Sequence, residues 1–149
     1  IDTRISSFTT YFSPGNSGHN IQTGASYFNN TLLMPGEEFS CTDGIGPTTA
    51  ERGFVSSNTY VGGKVVPGMG GGVCQIATTL YNAVLAVSSL VVTERHEHSN
   101  KVPYVQKGKD AAVAYGSYDF KFRNNSGYDI KITCSTDGKN VTTTLISLQ

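Results

Sequence analysis

Three consecutive glycines, Gly70-Gly71-Gly72, run directly into an apolar stripe at helical spacing. After Val73-Cys74-Gln75, the residues Ile76, Leu80, Ala83, Val84 and Val87 recur on one face of an α-helix that reaches about Ser89. A loop without side chains that opens a core-facing helix fixes a turn, a buried face and a thiol at the junction. The remaining elements must be arranged around it.

A second amphipathic helix is expected from Gly18 to about Asn29, with Ile21, Ala25, Phe28 and Leu32 on one face. Gly24 sits inside it, at a cost of about 1 kcal/mol relative to alanine. Strands are expected over 4–12, 91–96, 113–115 and 119–123, where β-branched and aromatic residues concentrate. A hairpin pairs 129–134 with 141–146 around Asp137-Gly138. A shorter one pairs 58–60 with 64–66 across Gly62-Gly63. Residues 37–72 otherwise read as irregular, apart from one helical turn opened by Thr48-Thr49-Ala50-Glu51 and stopped by Gly53. A loop region of that length is usually functional. The expected fold is α+β: two main helices packed on a mainly antiparallel sheet, with Cys74 at the N-terminus of the second helix.

A length of 149 residues suits one domain, 1–149, and a chain that starts at Ile1 reads as excised or processed from a longer one. Eleven Lys and Arg balance eleven Asp and Glu, which argues against a nucleic-acid partner. No apolar run approaches the roughly 20 residues that span a bilayer. Charged residues make up only 15%, against about 25% in an average soluble domain. Ser, Thr, Asn, Gly and Tyr take their place, a composition that suits an extracytoplasmic, cell-surface setting. The three cysteines, Cys41, Cys74 and Cys134, leave at least one free thiol, whether or not Cys41 and Cys134 pair.

Cys74 is the best-placed reactive group. A helix start carries partial positive charge, which is expected to lower the thiol pKa. Gly71 and Gly72 let a substrate backbone approach, neighbouring N–H groups offer an oxyanion hole, and Gln75 adds a side-chain donor. A thiol nucleophile needs a base and a group to orient it. His96 and His98 lie two residues apart in Glu94-Arg95-His96-Glu97-His98; Asp119, and failing it Asp110, is the candidate orienter. His19, near a helix start, is the least favoured histidine. Arg95 or Lys101 is available for a substrate carboxylate. Cys74 with His96 and His98 would supply three zinc ligands, but no established metal-binding motif accompanies them, and the expected chemistry uses no cofactor. The alternative is a small residue opening a core helix behind a glycine loop, with solvated histidines elsewhere.

The run Met69-Gly-Gly-Gly-Val-Cys-Gln-Ile-Ala-Thr-Thr-Leu-Tyr-Asn-Ala83 resembles the signature of the VanW domain family. Further blocks agree in order and spacing. They are Asn30-Thr31 through Pro35-Gly36-Glu37 to Phe39-Ser40; Gly46-Pro47 to Arg52-Gly53-Phe54; Glu94-Arg95-His96 to His98-Ser99; Gly108 to Asp110-Ala111; and Tyr115-Gly116 to Asp119, Phe122 and Asn124. The resemblance runs from about Phe8 to Ile132. It implies a Gram-positive cell-surface protein connected with glycopeptide resistance. Some members are peptidoglycan L,D-transpeptidases whose nucleophile is the cysteine of the glycine motif, which carries over to Cys74. His98 matches the family's histidine before Ser and is preferred to His96. The resemblance implies peptidoglycan stem peptides as donor and acceptor, with a thioester acyl-enzyme between them. A wall-binding or adaptor domain, or a cysteine peptidase or L,D-carboxypeptidase acting on wall peptides, are the alternatives. Two positions depart from the family pattern: Ala77 stands where Ser is usual, and Gly18 where a basic residue is common.

Overall fold

The computed structural model describes residues 2–61, 64–98 and 102–149; the expected Gly62-Gly63 turn and Lys101 lie outside them. In chain order the elements are β1 (Asp2–Tyr11), α1 (Asn16–Phe28), β2 (Thr31–Leu33), β3 (Glu38–Ser40), α2 (Cys41–Ile45), a 3₁₀ turn at Ala50–Arg52, β4 (Ser56–Val61), β5 (Lys64–Met69), α3 (Val73–Leu85), β6 (Leu90–Glu94), β7 (Lys121–Asn124), β8 (Asp129–Thr136) and β9 (Asn140–Leu148). The architecture is α+β, as the periodicities require.

The strands form an antiparallel four-stranded sheet ordered β1-β9-β8-β2, a three-stranded sheet β3-β7-β6, and the hairpin β4-β5. Alternation is strict in β9, where Val141, Thr143, Leu145 and Ser147 are buried, and it faces Ile130, Ile132 and Cys134 of β8. Helix α1 packs on β8, and α3 packs on β1 and β9. The two helices meet at Gly24, where a Cβ would stand 2.7 Å from Ile76 Cδ1. The mid-helix glycine that weakens α1 locally is what allows α1 and α3 to approach.

Segment 37–72, read as largely irregular, carries β3, α2, the 3₁₀ turn, β4 and β5. Three-residue strands are too short for a periodic signal, and β3 is defined only by its pairing with β7, some eighty residues away. Around 113–115, where a strand was expected, there is only an isolated bridge between Ala114 and Tyr118. The backbone there is occupied by side chains of a helix instead.

Helix α3 explains why. Its residues 75–81 are all buried, including Gln75, Thr78 and Thr79. Buried polar groups must find partners. Thr79 faces β1, where its hydroxyl meets that of Thr10 at 2.8 Å. Thr78, on the opposite flank, reaches the extended segment 109–113.

A cysteine rung and a buried histidine–aspartate pair: the candidate active site

Cys74 stands in the first turn of α3, which is capped by Gly72 in the left-handed region (φ 112°). Each glycine before it is required by packing within the chain. A Cβ on Gly70 would collide with the Thr48 side chain, and one on Gly71 with the Asn58 carbonyl of β4. One on Gly72 would stand 2.7 Å from the Ser17 carbonyl of α1. Gly71 and Gly72 were expected to admit a substrate backbone; where a Cβ would stand on each, the close neighbour is the chain's own backbone. Asn20, fully buried on α1, clamps the loop: its Nδ2 donates to the Gly71 and Val55 carbonyls and its Oδ1 accepts the Val55 N–H, each within 2.9 Å. The sequence reading missed Asn20, although a polar residue beside Ile21 on the apolar face of α1 was its signal.

Cys74, Thr78 and Asn82 follow at four-residue intervals and bond alternate residues of 109–113. Asn82 Nδ2 donates to the Lys109 carbonyl at 2.8 Å. Thr78 Oγ1 accepts the Ala111 N–H at 2.9 Å and donates to the Ala111 carbonyl at 3.2 Å. Cys74 Sγ repeats that pattern at Val113, accepting its N–H at 3.5 Å and donating to its carbonyl at 3.4 Å. The other edge of the segment faces 95–98: Arg95 Nε donates to the Asp110 carbonyl and the Ala112 N–H donates to the His96 carbonyl.

That second edge carries the ionisable pair. His98 Nδ1 lies 2.6 Å from Asp110 Oδ2, which also accepts the His98 backbone N–H at 2.7 Å. The ring and carboxylate are both buried. Burial pushes the Asp110 carboxyl up, but the hydrogen bonds from His98 outweigh it and hold Asp110 below the usual carboxylate range. An ionised Asp110 places the ring proton on Nδ1, leaving Nε2 as the basic nitrogen.

Asp119 is elsewhere. Its Oδ1 accepts the Thr42 and Phe120 N–H groups and its Oδ2 accepts the Ser40 hydroxyl, so it ties the β3–α2 junction to the residues that lead into β7. Of the two candidate orienters, only Asp110 meets His98. His96 is half-exposed, pairs with Glu94 at 2.9 Å and lies against Tyr118; it does not share a site with His98. Among the described residues no cluster of metal-ligating side chains forms, and the Cys74–His96–His98 ligand set is not assembled. His19 bonds the Gly53 carbonyl. Arg95 was expected to meet a substrate carboxylate. It instead braces the Asp110 loop through the Gly108 and Asp110 carbonyls and an ion pair with Asp110 at 3.6 Å, its guanidinium over the Tyr81 ring.

The thiol itself departs from expectation. Burial raises the Cys74 pKa; the Val113 N–H opposes this and the Asp110 charge adds to it. Burial is the largest of these effects, so the group is held toward the protonated thiol. Of the N–H groups around it, those of Val73 and Gln75 are taken by the Gly70 and Gly72 carbonyls, and that of Cys74 has no acceptor among the described residues. Cys41 and Cys134 are free, buried thiols.

Two clefts meet at Cys74. One of about 270 Å³ is lined by Thr42, Thr48, Met69, the glycines, Val113 and Tyr115 among others. The other, about 670 Å³, is walled by Tyr11, Phe12, Asn16, Asn58, Gln75 and Tyr104 among others. Gly72 and Cys74 line both.

These features define a class: an antiparallel α+β protein with a cysteine opening its central helix and a buried histidine–carboxylate pair across segment 109–113 from it. The family model described as "VanW like protein" matches residues 16–146; the chain belongs to the VanW family. It is 36% identical to the uncharacterized protein YoaR of Bacillus subtilis over 97% of this chain and 48% of that protein. It is 28% identical to the vancomycin B-type resistance protein VanW of Enterococcus faecalis over 85% of this chain and 47% of that protein. The chain thus spans about half the length of the curated relatives it matches. No solved structure matches it, and among the described residues no helix is long and apolar enough to cross a membrane.

Proposed function

We propose that this chain is a thiol-dependent acyltransferase acting on peptidoglycan stem peptides at the cell surface, an L,D-transpeptidase in its overall reaction. The observation that carries the reading is the position of Cys74 in the wall common to two clefts, which leaves room on either side of Sγ for an acyl chain and an amine. The resistance-protein relative supports a cell-wall substrate.

The raised thiol pKa means that a base must act within the chemical step. The base in this reading is His98, oriented by Asp110; the pair stands across segment 109–113 from Cys74, and the Sγ proton passes to Nε2 as that segment releases the thiol. The sulfur leaves its bond to the Val113 carbonyl and attacks the carbonyl carbon of the L-centred third stem residue. The Val113 N–H remains a donor toward the thiolate, and the Cys74 N–H toward the developing oxyanion. The C–N bond to the terminal D-Ala breaks, His98 returns the proton to the leaving amine, and a thioester remains. The amine of a second stem then attacks, gives up its proton and releases the thiol, forming a 3-3 crosslink. Water in place of that amine gives carboxypeptidase products.

Chromatography of a disaccharide-tetrapeptide digest tests this. The proposal requires equimolar D-Ala and crosslinked dimer from the wild type and neither from Cys74→Ala. Free tripeptide without dimer would reassign the protein as a hydrolase.

One observation favours a second reading, a non-catalytic wall-binding domain. Cys74 makes with Val113 the same two bonds that Thr78 makes with Ala111, as a purely structural rung would. On that reading Cys74→Ser, which keeps both bonds, leaves wall binding and all function intact; on the enzymatic reading it binds but does not turn over.

A further inference from the structure

Gln75 was expected to donate a hydrogen bond to substrate. Its surroundings assign it the opposite polarity. Nε2 lies 2.9 Å from Thr10 Oγ1 and 2.7 Å from the Tyr11 carbonyl oxygen. The Tyr11 carbonyl can only accept. Thr79 spends its one hydroxyl proton on the Gln75 backbone carbonyl, 2.7 Å away. In the 2.8 Å contact between the two threonine hydroxyls, Thr10 is therefore the donor. Having spent its own proton, Thr10 can only accept from Gln75. Both amide hydrogens are committed, and turning the amide over would set its oxygen against two acceptors. Thr10, Gln75 and Thr79 are all buried, so water does not relieve that conflict. The amide is locked with its nitrogen inward.

The oxygen is what remains. Gln75 lines the 670 Å³ cleft next to Cys74, and its Oε1 has no partner among the described residues. None of the described residues lining that cleft is charged. A fixed acceptor in an uncharged wall selects for an N–H or O–H donor.

We propose that Gln75 Oε1 accepts an N–H from the amine side of the substrate, so that the 670 Å³ cleft holds the leaving and then the entering amine, while the 270 Å³ cleft holds the acyl chain. This rests on the acyltransferase reading. In a two-step acyl transfer the entering amine retraces the path of the departing one, so one N–H acceptor serves the scissile amide and the incoming amine alike. The acyl carbonyl needs donors instead, and the Cys74 N–H provides one. Thr10 and Thr79 are positioning residues that act through Gln75.

The test is a binding comparison in the Cys74→Ala background, independent of turnover. L-Lys-D-Ala and its Nε-trimethyl counterpart carry the same charge, but only the first has side-chain N–H groups. Chemical-shift titration should show about tenfold tighter binding of the first, the worth of one charge-assisted hydrogen bond. That preference should fall to near unity in Gln75→Met and fall partway in Thr10→Val, which frees one of the two amide anchors and preserves side-chain shape if Gln75→Met folds poorly. Equal binding of the two peptides, no binding of either, or an unchanged preference in a folded Gln75→Met or Thr10→Val protein would overturn the assignment. An intact preference in a protein that forms no acyl adduct would instead count against the acyltransferase reading and leave the Gln75 acceptor standing.

Discussion

Replacing Asn20 by alanine should loosen the platform on which Cys74 stands. Three hydrogen bonds are lost together: two from Nδ2, to the Val55 and Gly71 carbonyls, and one from the Val55 N–H to Oδ1. Asn20 is fully buried and its bond to the Gly71 carbonyl with it, so water replaces that bond poorly. At about 1 kcal/mol net per bond the cost is about 3 kcal/mol, and more if the stranded carbonyls stay dry. With a urea m-value of about 1.5 kcal/mol/M the midpoint moves down by about 2 M. Equilibrium urea unfolding followed by far-UV circular dichroism reads this directly. Because Gly71 is one of the freed groups, alkylation of Cys74 in the native state should also accelerate. A midpoint shift below about 0.5 M, with m unchanged, would refute the claim that Asn20 is the clamp between α1, β4 and the glycine loop.

Other expectations follow from the same geometry. Gly71→Ala drives a Cβ into the backbone of β4 and should cost about 1–3 kcal/mol, with a matching loss of Cys74-dependent activity; full stability and activity would count against the packing account of the glycine loop. In native protein iodoacetamide should modify Cys74 alone, slowly at neutral pH and faster as pH rises past the ordinary thiol range, because burial raises its pKa. Cys41 and Cys134, the latter pushed up to about 12, should react only after unfolding; rapid modification of all three in the native state would contradict this. Asp110 has a folded-state pKa below its ordinary value. Its contribution is therefore present above about pH 4 and lost as pH falls through the folded-state value. Asp110→Asn should remove that acid-limb dependence, and an unchanged stability–pH profile would refute it.

The parts of the fold legible in the sequence are those with local periodicity. Helices α1 and α3 and the β8–β9 hairpin are set by patterns a dozen residues long. The strands β2 and β3 have three residues each and exist through pairing with β8 and β7, far along the chain. The segment 109–113, of which only Val113 was expected in a strand, is extended because its hydrogen bonds go to α3 side chains on one edge. That outcome depends on Cys74, Thr78 and Asn82 sharing a helix flank. Their four-residue spacing was visible, but a polar stripe on a helix gives no sign that a backbone will lie against it.

The candidate site was legible to a similar degree. Cys74 at a helix start follows from glycine loop and apolar stripe together. The orienter did not: Asp119, an acid among aromatic residues, was preferred to Asp110, but the fold turns Asp110 toward His98 and Asp119 toward α2. Arg95 and Gln75 read as substrate contacts because they flank the reactive residues. Arg95 instead holds Asp110 in place, and Gln75 faces its cleft as an acceptor with its donors turned inward. A helix start predicts stabilised charge on the thiol, whereas the burial of Cys74 against Val113, which raises its pKa, could be judged only from the fold.

The central claim is that Cys74 forms an acyl bond with a stem peptide. Intact-protein mass spectrometry after incubation with a purified tetrapeptide muropeptide, wild type beside Cys74→Ala, tests it most directly. The account predicts a covalent adduct one donor muropeptide in mass, less its terminal D-Ala, on the wild type only. The adduct should disappear when an amine acceptor is added and 3-3 dimer should accumulate. Folded wild-type protein with no adduct and no product would contradict the claim and leave the wall-binding reading in its place.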